Sequence, residues 1–145
     1  MFKIYIALIY FTFFNLSAEV IKKIEVKGND RISAETIKVY GDINIGKDYS
    51  ALQINEVLKN LYGTDFFGDI KITLNNGVLS VLVKEYPIIN AVDLEGEKSN
   101  TIKKSVLEKL SLKSSESFIE NDMTQDVNLI KKINGTIGFN FVNVE

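Results

Sequence analysis

The chain carries one stretch twice. Ile21 to Ile32 reads IKKIEVKGNDRI, and Ile89 to Asn100 reads INAVDLEGEKSN, displaced by 68 positions. Ile24 falls on Val92, Glu25 on Asp93, Val26 on Leu94 and Gly28 on Gly96. Farther on, Gly63, Thr64 and Phe67 fall on Gly135, Thr136 and Phe139, and Ile70 and Ile72 fall on Val142 and Val144, now displaced by 72. The added residues fit a longer loop around Lys113 to Glu116. A unit of about 70 residues used twice points to a modular array, not to one enzyme core. Arrays of this kind bind along their length.

Charge and residue types narrow the function classes. Residues 19 to 86 carry nine Lys/Arg and ten Asp/Glu, and residues 87 to 145 carry seven and nine. Neither half is basic, so a nucleic-acid partner is disfavoured, because phosphate contacts need clustered cations. The chain has no Cys and no His. That removes thiol nucleophiles, imidazole bases and the usual zinc ligands together. It also leaves no disulfide support, so stability has to come from packing.

The start, MFKIYIALIYFTFFNLSAE, has the layout of an export signal. Lys3 is the positive end, Ile4 to Phe14 is apolar but for Thr12, and Asn15 to Ala18 is short and small. The apolar run is shorter than the roughly 20 residues that span a bilayer. Residues 1–18 are therefore expected to be a cleaved signal peptide, although Leu16 departs from the small residue preferred before the cut.

Periodicity sketches the rest. Val20 to Lys27 alternates, with Ile24 and Val26 on one face, as in a half-buried strand. Gly28-Asn29-Asp30 marks a turn. Ser33 suits the cap of a short helix to about Tyr40 that buries Ile37. Ser50 and Gln53 form a capping box, followed by a helix with Ile54, Val57, Leu58 and Leu61 on one stripe. Gly63 is expected to stop it near Tyr62. Phe67 to Leu74 alternates with Ile70, Ile72 and Leu74 on one face, Asn75-Asn76-Gly77 is a tight hairpin turn, and Val78 to Glu85 returns with Leu79, Val81 and Val83 inward. The unit reads β-α-α-β-β.

The second copy is expected to begin with a strand from Ile88 to Glu95. A helix from about Thr101 to Leu110 places Ile102, Val106, Leu107 and Leu110 together. After a polar loop at Lys113 to Ser117, a helix starting near Asp122 and Gln125 is expected to bury Met123, Val127, Ile130 and Ile133. A strand follows from Phe139 to Val144, and a counterpart of Val78 to Glu85 is missing. A two-stranded pairing is marginal alone, which predicts a truncated copy or a strand supplied by something else. Pro87, the only proline, stands between the copies. It fixes φ and biases Tyr86 toward extended geometry, so Glu85, Tyr86 and Pro87 read as a stiff joint.

No constellation for catalysis, cofactor or metal emerges. Asp65 and Asp69 flank Phe66-Phe67-Gly68, a helix-to-strand connection and not one helix face. Asn29-Asp30 and Glu95 to Glu97 lack the spacing of a calcium loop. Gly63-Thr64-Asp65 lacks the ending of a phosphate loop. What remains is geometry. A three-stranded sheet covered by helices on one face has two edge strands, whose free amides and carbonyls suit an incoming extended chain.

Three segments resemble a known family at the right spacing: Ile24-Glu25-Val26-Lys27-Gly28-Asn29, then Leu61 to Ile70 (LYGTDFFGDI), then Val83-Lys84-Glu85-Tyr86-Pro87. They resemble POTRA (polypeptide-transport-associated) domains, and the order of signal, domain and second copy resembles the leading end of BamA-like outer-membrane protein assembly factors of Gram-negative bacteria. The resemblance implies an α+β fold of tandem β-α-α-β-β modules, each a three-stranded sheet under two helices. It places a first module at 19–86 and an incomplete second at 87–145. It implies a periplasmic, non-enzymatic region that binds unfolded outer-membrane proteins and accessory lipoproteins ahead of further POTRA domains and a membrane β-barrel. The peptide-binding edge would be Asp69, Ile70, Lys71, Ile72, Thr73 and Leu74, with Asn140 to Val144 in the second copy. Two other readings stay open: the POTRA region of another secretion pore, and a cell-division scaffold with an N-terminal anchor.

Overall fold

The computed structural model describes residues 19–136, 138 and 144. The expected signal at 1–18 and, Val144 apart, the expected strand at 139–144 lie outside the described residues.

The first strand region does not run unbroken. β1 (Glu19–Val20) and β2 (Lys23–Lys27) are separated at Ile21, which is fully buried. The Ile21 N–H donates to the Lys47 carbonyl at 3.1 Å, and the Ile21 carbonyl accepts from Gly46 at 2.8 Å. The backbone thus changes partners mid-strand. β1 pairs with the short β3 (Asp48–Tyr49), while β2 pairs elsewhere.

α1 (Ala34–Tyr40) starts where Ser33 offers its hydroxyl to the Thr36 N–H at 3.1 Å, and it buries Ile37 completely. α2 (Ala51–Tyr62) starts at the expected box, with the Gln53 carbonyl oxygen accepting from the Ser50 N–H at 2.9 Å. Val57 and Leu61 are buried, and Ile54 and Leu58 pack beside them. The helix ends at Tyr62 as expected, yet Gly63 keeps a right-handed φ of −66°. The left-handed step comes at Asp65, φ 56°.

β4 (Phe67–Asn75) and β5 (Val78–Glu85) form the expected hairpin. Asn76 and Gly77 take φ of 53° and 77°, the paired positive values that match the natural strand twist. The sheet order is β2-β5-β4, with β5 central, parallel to β2 and antiparallel to β4. A register shift between Phe67 and Asp69 lets Phe67 join Ile70 on the buried face. Leu79, Val81 and Val83 line the middle of the core with Leu61, Phe67 and Ile37. Each such side chain, fully buried, contributes about 1.5–3 kcal/mol. Packing of this kind carries a fold that has no cross-link.

The second copy forms its helices: α3 (Asn100–Lys109), capped by Ser99, and α4 (Glu120–Thr136). Val106, Leu110 and Ile130 are buried, with Val92, Leu94, Ile102, Leu107 and Ile133 packed around them. Three expectations change. Ile88 to Glu95 is not a strand. It makes one bridge, Ile88 to Ser117, because none of the described strands lies beside it to complete a ladder. α4 begins at Glu120, ahead of Asp122, and extends through Gly135 and Thr136. It is also rotated from the expected stripe: Met123 is 41% exposed, and Asp126 is buried instead.

The two copies nonetheless share a local device. The Thr64 hydroxyl donates to the Leu61 carbonyl at 2.7 Å, and the Thr136 hydroxyl donates to the Ile133 carbonyl at 2.6 Å. Both bonds close the end of the second helix at matching repeat positions.

Candidate functional site

The rim of β4 is built by the phase of its hairpin. The Asn76-Gly77 turn closes on the pair Asn75–Val78. In an antiparallel ladder closed by a two-residue turn, hydrogen-bonded pairs recur at every second residue. Asn75, Thr73 and Lys71 therefore direct their backbone groups to β5. Leu74, Ile72 and Ile70 direct theirs away from it. β4 stands at the end of the strand order, so these groups face the open side. Their side chains meanwhile point into the core: Ile70 is buried, and Ile72 and Leu74 are partly buried against it. Lys71 and Thr73 are exposed on the outer face, and Asp69 is exposed beside the bulge.

One outward group is already engaged. The Ile70 N–H donates to the Tyr62 hydroxyl at 3.1 Å. Tyr62, the last residue of α2, reaches from beneath the sheet to its rim. Sequence reasoning placed Tyr62 only as a helix end and a family-like residue. The missed signal was its spacing of eight residues before an edge amide, which has meaning only once the strand order is known.

Glu85, Tyr86 and Pro87 sit where the first sheet ends. The Glu85 carboxylate accepts from the N–H groups of Asp30 at 3.0 Å, Arg31 at 3.1 Å and Ile32 at 2.9 Å. It also pairs with the Arg31 guanidinium at 3.0 Å, and its side chain is only 7% exposed. Three successive amides around one carboxylate form an anion-binding nest. The Arg31 guanidinium also donates to the Tyr86 carbonyl at 2.9 Å. The Tyr86 N–H donates to the Phe66 carbonyl at 2.9 Å, and its ring lies over Gly68, where a Cβ would come within 2.9 Å of it. Gly28 approaches the Val83 carbonyl so closely that a Cβ there would lie 2.2 Å from the oxygen. The Pro87 carbonyl accepts from Phe118 at 2.8 Å, and Ile89 and Glu116 bond at 2.9 Å. Gly28, Gly68, Val83, Glu85 and Tyr86 thus owe their places in the three noted segments to mutual packing.

Among the described residues no cluster of three or more His, Cys, Asp or Glu side chains is placed to hold a metal, and no helix is long and apolar enough to cross a membrane. Apart from Arg31–Glu85, the charged pairs among the described residues lie at the surface. The Lys103 ammonium, hydrogen-bonded to Asp93 at 2.7 Å, holds the Asp93 carboxyl below its ordinary range.

No family model matches the chain. It is 30% identical over 115 residues to the outer membrane protein assembly factor BamA of Neisseria meningitidis serogroup B, covering 77% of this chain and 14% of that protein. It is 30% identical over 91 residues to BamA of Neorickettsia risticii, covering 63% and 12%. The chain therefore spans only a small part of the length of these relatives. Among solved structures, it superposes on the N-terminal domain of Omp85 from Thermosynechococcus elongatus with a TM-score of 0.56, at 16% identity, over 84% of this chain and 53% of that one. It superposes on POTRA1-2 of the periplasmic domain of Omp85 from Anabaena with a TM-score of 0.50, at 13% identity, over 89% and 87%. The structural likenesses establish the α+β fold and the sequence likenesses its kin: the chain is a POTRA region of the BamA-like kind.

Proposed function

We propose that this chain works in the periplasm as the non-enzymatic POTRA region of an outer-membrane β-barrel assembly factor, and that the β4 rim, Asp69 to Leu74, receives extended segments of unfolded outer-membrane proteins by strand addition. The observation that carries the reading is the rim itself. Ile72 and Leu74 aim their backbone donors and acceptors away from β5, on the outermost strand of the sheet. Main-chain pairing of this sort takes any extended sequence, which suits a site that must accept many clients. The region divides on this reading into a first module at 19–86 and a second at 87–145, joined at Glu85, Tyr86 and Pro87. Its partners are further POTRA domains, a membrane barrel and accessory lipoproteins.

The phase of β4 makes the test clean. Ile72→Pro removes a donor that faces outward, and proline is tolerated on an edge strand in that phase. Titration of the 145-residue chain with an unfolded outer-membrane-protein peptide, followed by amide NMR, should show loss of binding in the Ile72→Pro variant. Lys71→Ala should bind like the parent. Undiminished binding by a folded Ile72→Pro variant would overturn strand addition at this rim.

A further inference from the structure

We propose that Tyr62 sets where an added strand must stop, so that the β4 rim favours short extended segments; the inference rests on the reading of that rim as a docking site. Along the outward phase of β4 three residues offer backbone groups: Leu74, Ile72 and Ile70. Leu74 and Ile72 offer both a donor and an acceptor. Ile70 offers only its carbonyl, because its N–H is held by the Tyr62 hydroxyl at 3.1 Å.

A guest strand pairing antiparallel to β4 exchanges two hydrogen bonds opposite Leu74 and two opposite Ile72. To continue it must displace the phenol. One neutral hydrogen bond then replaces another, and the extension gains only the bond to the Ile70 carbonyl, half of what each earlier residue gives. Tyr62 is 42% exposed and is the terminal residue of its helix, so its side chain reaches the amide from the surface of the sheet's edge. The fitting partner is thus an extended peptide that lies along the rim for about three to five residues and then turns away, pairing through alternate residues as strand geometry requires.

Asn134 stands at the repeat position of Tyr62, and its carboxamide donates to the Ile130 carbonyl at 2.9 Å.

The test compares the parent with Tyr62→Phe, which keeps the ring and loses the acceptor. Two synthetic peptides alternating valine and threonine, one short enough to cover Leu74 and Ile72 only and one four residues longer, are titrated against the full chain. Amide hydrogen exchange is followed at Ile70 and Ile72. In the parent, Ile70 should exchange more slowly than Ile72, and the longer peptide should gain no more than the single bond to the Ile70 carbonyl. In Tyr62→Phe, Ile70 should exchange as fast as Ile72, and the longer peptide should bind about threefold to tenfold tighter, the worth of one more hydrogen bond. If Tyr62→Phe leaves the length dependence unchanged while both peptides bind, the stop is overturned and the docking rim stands. If the parent's Ile70 exchanges as fast as Ile72, the stop is likewise overturned. If neither peptide binds either protein, the rim reading fails and this inference fails with it.

Discussion

At the scale of single residues, the first module is held by a carboxylate facing backbone. Glu85 satisfies three successive amides that begin the connection from β2 to α1, and it balances Arg31. Hydrogen bonds to a charged group contribute about 1.5–3 kcal/mol, and removing the acceptor leaves the donors exposed to that loss. Glu85→Ala should therefore destabilise the chain by about 2–4 kcal/mol in urea unfolding. Glu85→Gln should recover part of this, because it keeps one acceptor oxygen. Gly28 supplies a second residue-scale prediction. Its φ of 78° and its 2.2 Å approach to the Val83 carbonyl exclude a side chain twice over. Gly28→Ala should cost about 3 kcal/mol or more, since backbone strain of 1–3 kcal/mol adds to a displaced strand. The glycine was legible in the sequence as a turn signal. Its contact with a strand more than fifty residues away was not, because only the sheet order brings them together.

At the scale of elements, α3 and α4 are joined by a buried acid that periodicity missed. The sequence reading placed Met123 on the buried stripe of α4. The structure turns the helix so that Asp126 faces inward, where it accepts from the Ser111 N–H at 2.8 Å and the Leu112 N–H at 2.9 Å. Those amides lie just past the end of α3 and need an acceptor. A hydrophobic count rewards Met123 over Asp126, but two partly buried amides left without an acceptor outweigh one thioether. Asp126→Ala should cost about 1–3 kcal/mol and accelerate amide exchange at Ser111 and Leu112, while leaving the β4–β5 ladder unchanged. Nearby, Lys103 lowers the pKa of Asp93, so the folded value lies below the unfolded one. The stability this pair contributes is present above the unfolded aspartate range and is lost as pH falls through the folded value. NMR titration of the Asp93 carboxyl should show its midpoint below that of an unfolded chain, with the difference reduced in Lys103→Ala, where the backbone hydrogen bond at Leu94 remains.

At the scale of the whole molecule, the two copies are unequally built. The first closes a sheet around Leu79, Val81 and Val83, with Leu61 and Phe67 against it. In the second, the stretch Ile88 to Glu95 keeps the alternation of a strand and even packs Val92 and Leu94 inward, yet it forms no ladder. Its counterpart, β2, is a strand because β5 lies beside it. Amide exchange should therefore be at least tenfold faster from Asn90 to Glu95 than in β5, since backbone groups outside a ladder open locally. Equal protection would show that the second copy completes its sheet by another route.

The division between what was readable and what was not follows from range. The repeat, the two helix caps at Ser33 and Ser50, the alternating faces of β4 and β5 and the Asn76-Gly77 turn are properties of neighbours along the chain, and local chemistry determines them. The sequence by itself thus determined most elements of the first module and which side of each would be buried. Strand order, the nest around Glu85, the inward turn of Asp126 and the bond from Ile70 to Tyr62 join residues that only packing brings together. They depend on which backbone groups remain unpaired after folding, and that is settled by the tertiary structure alone.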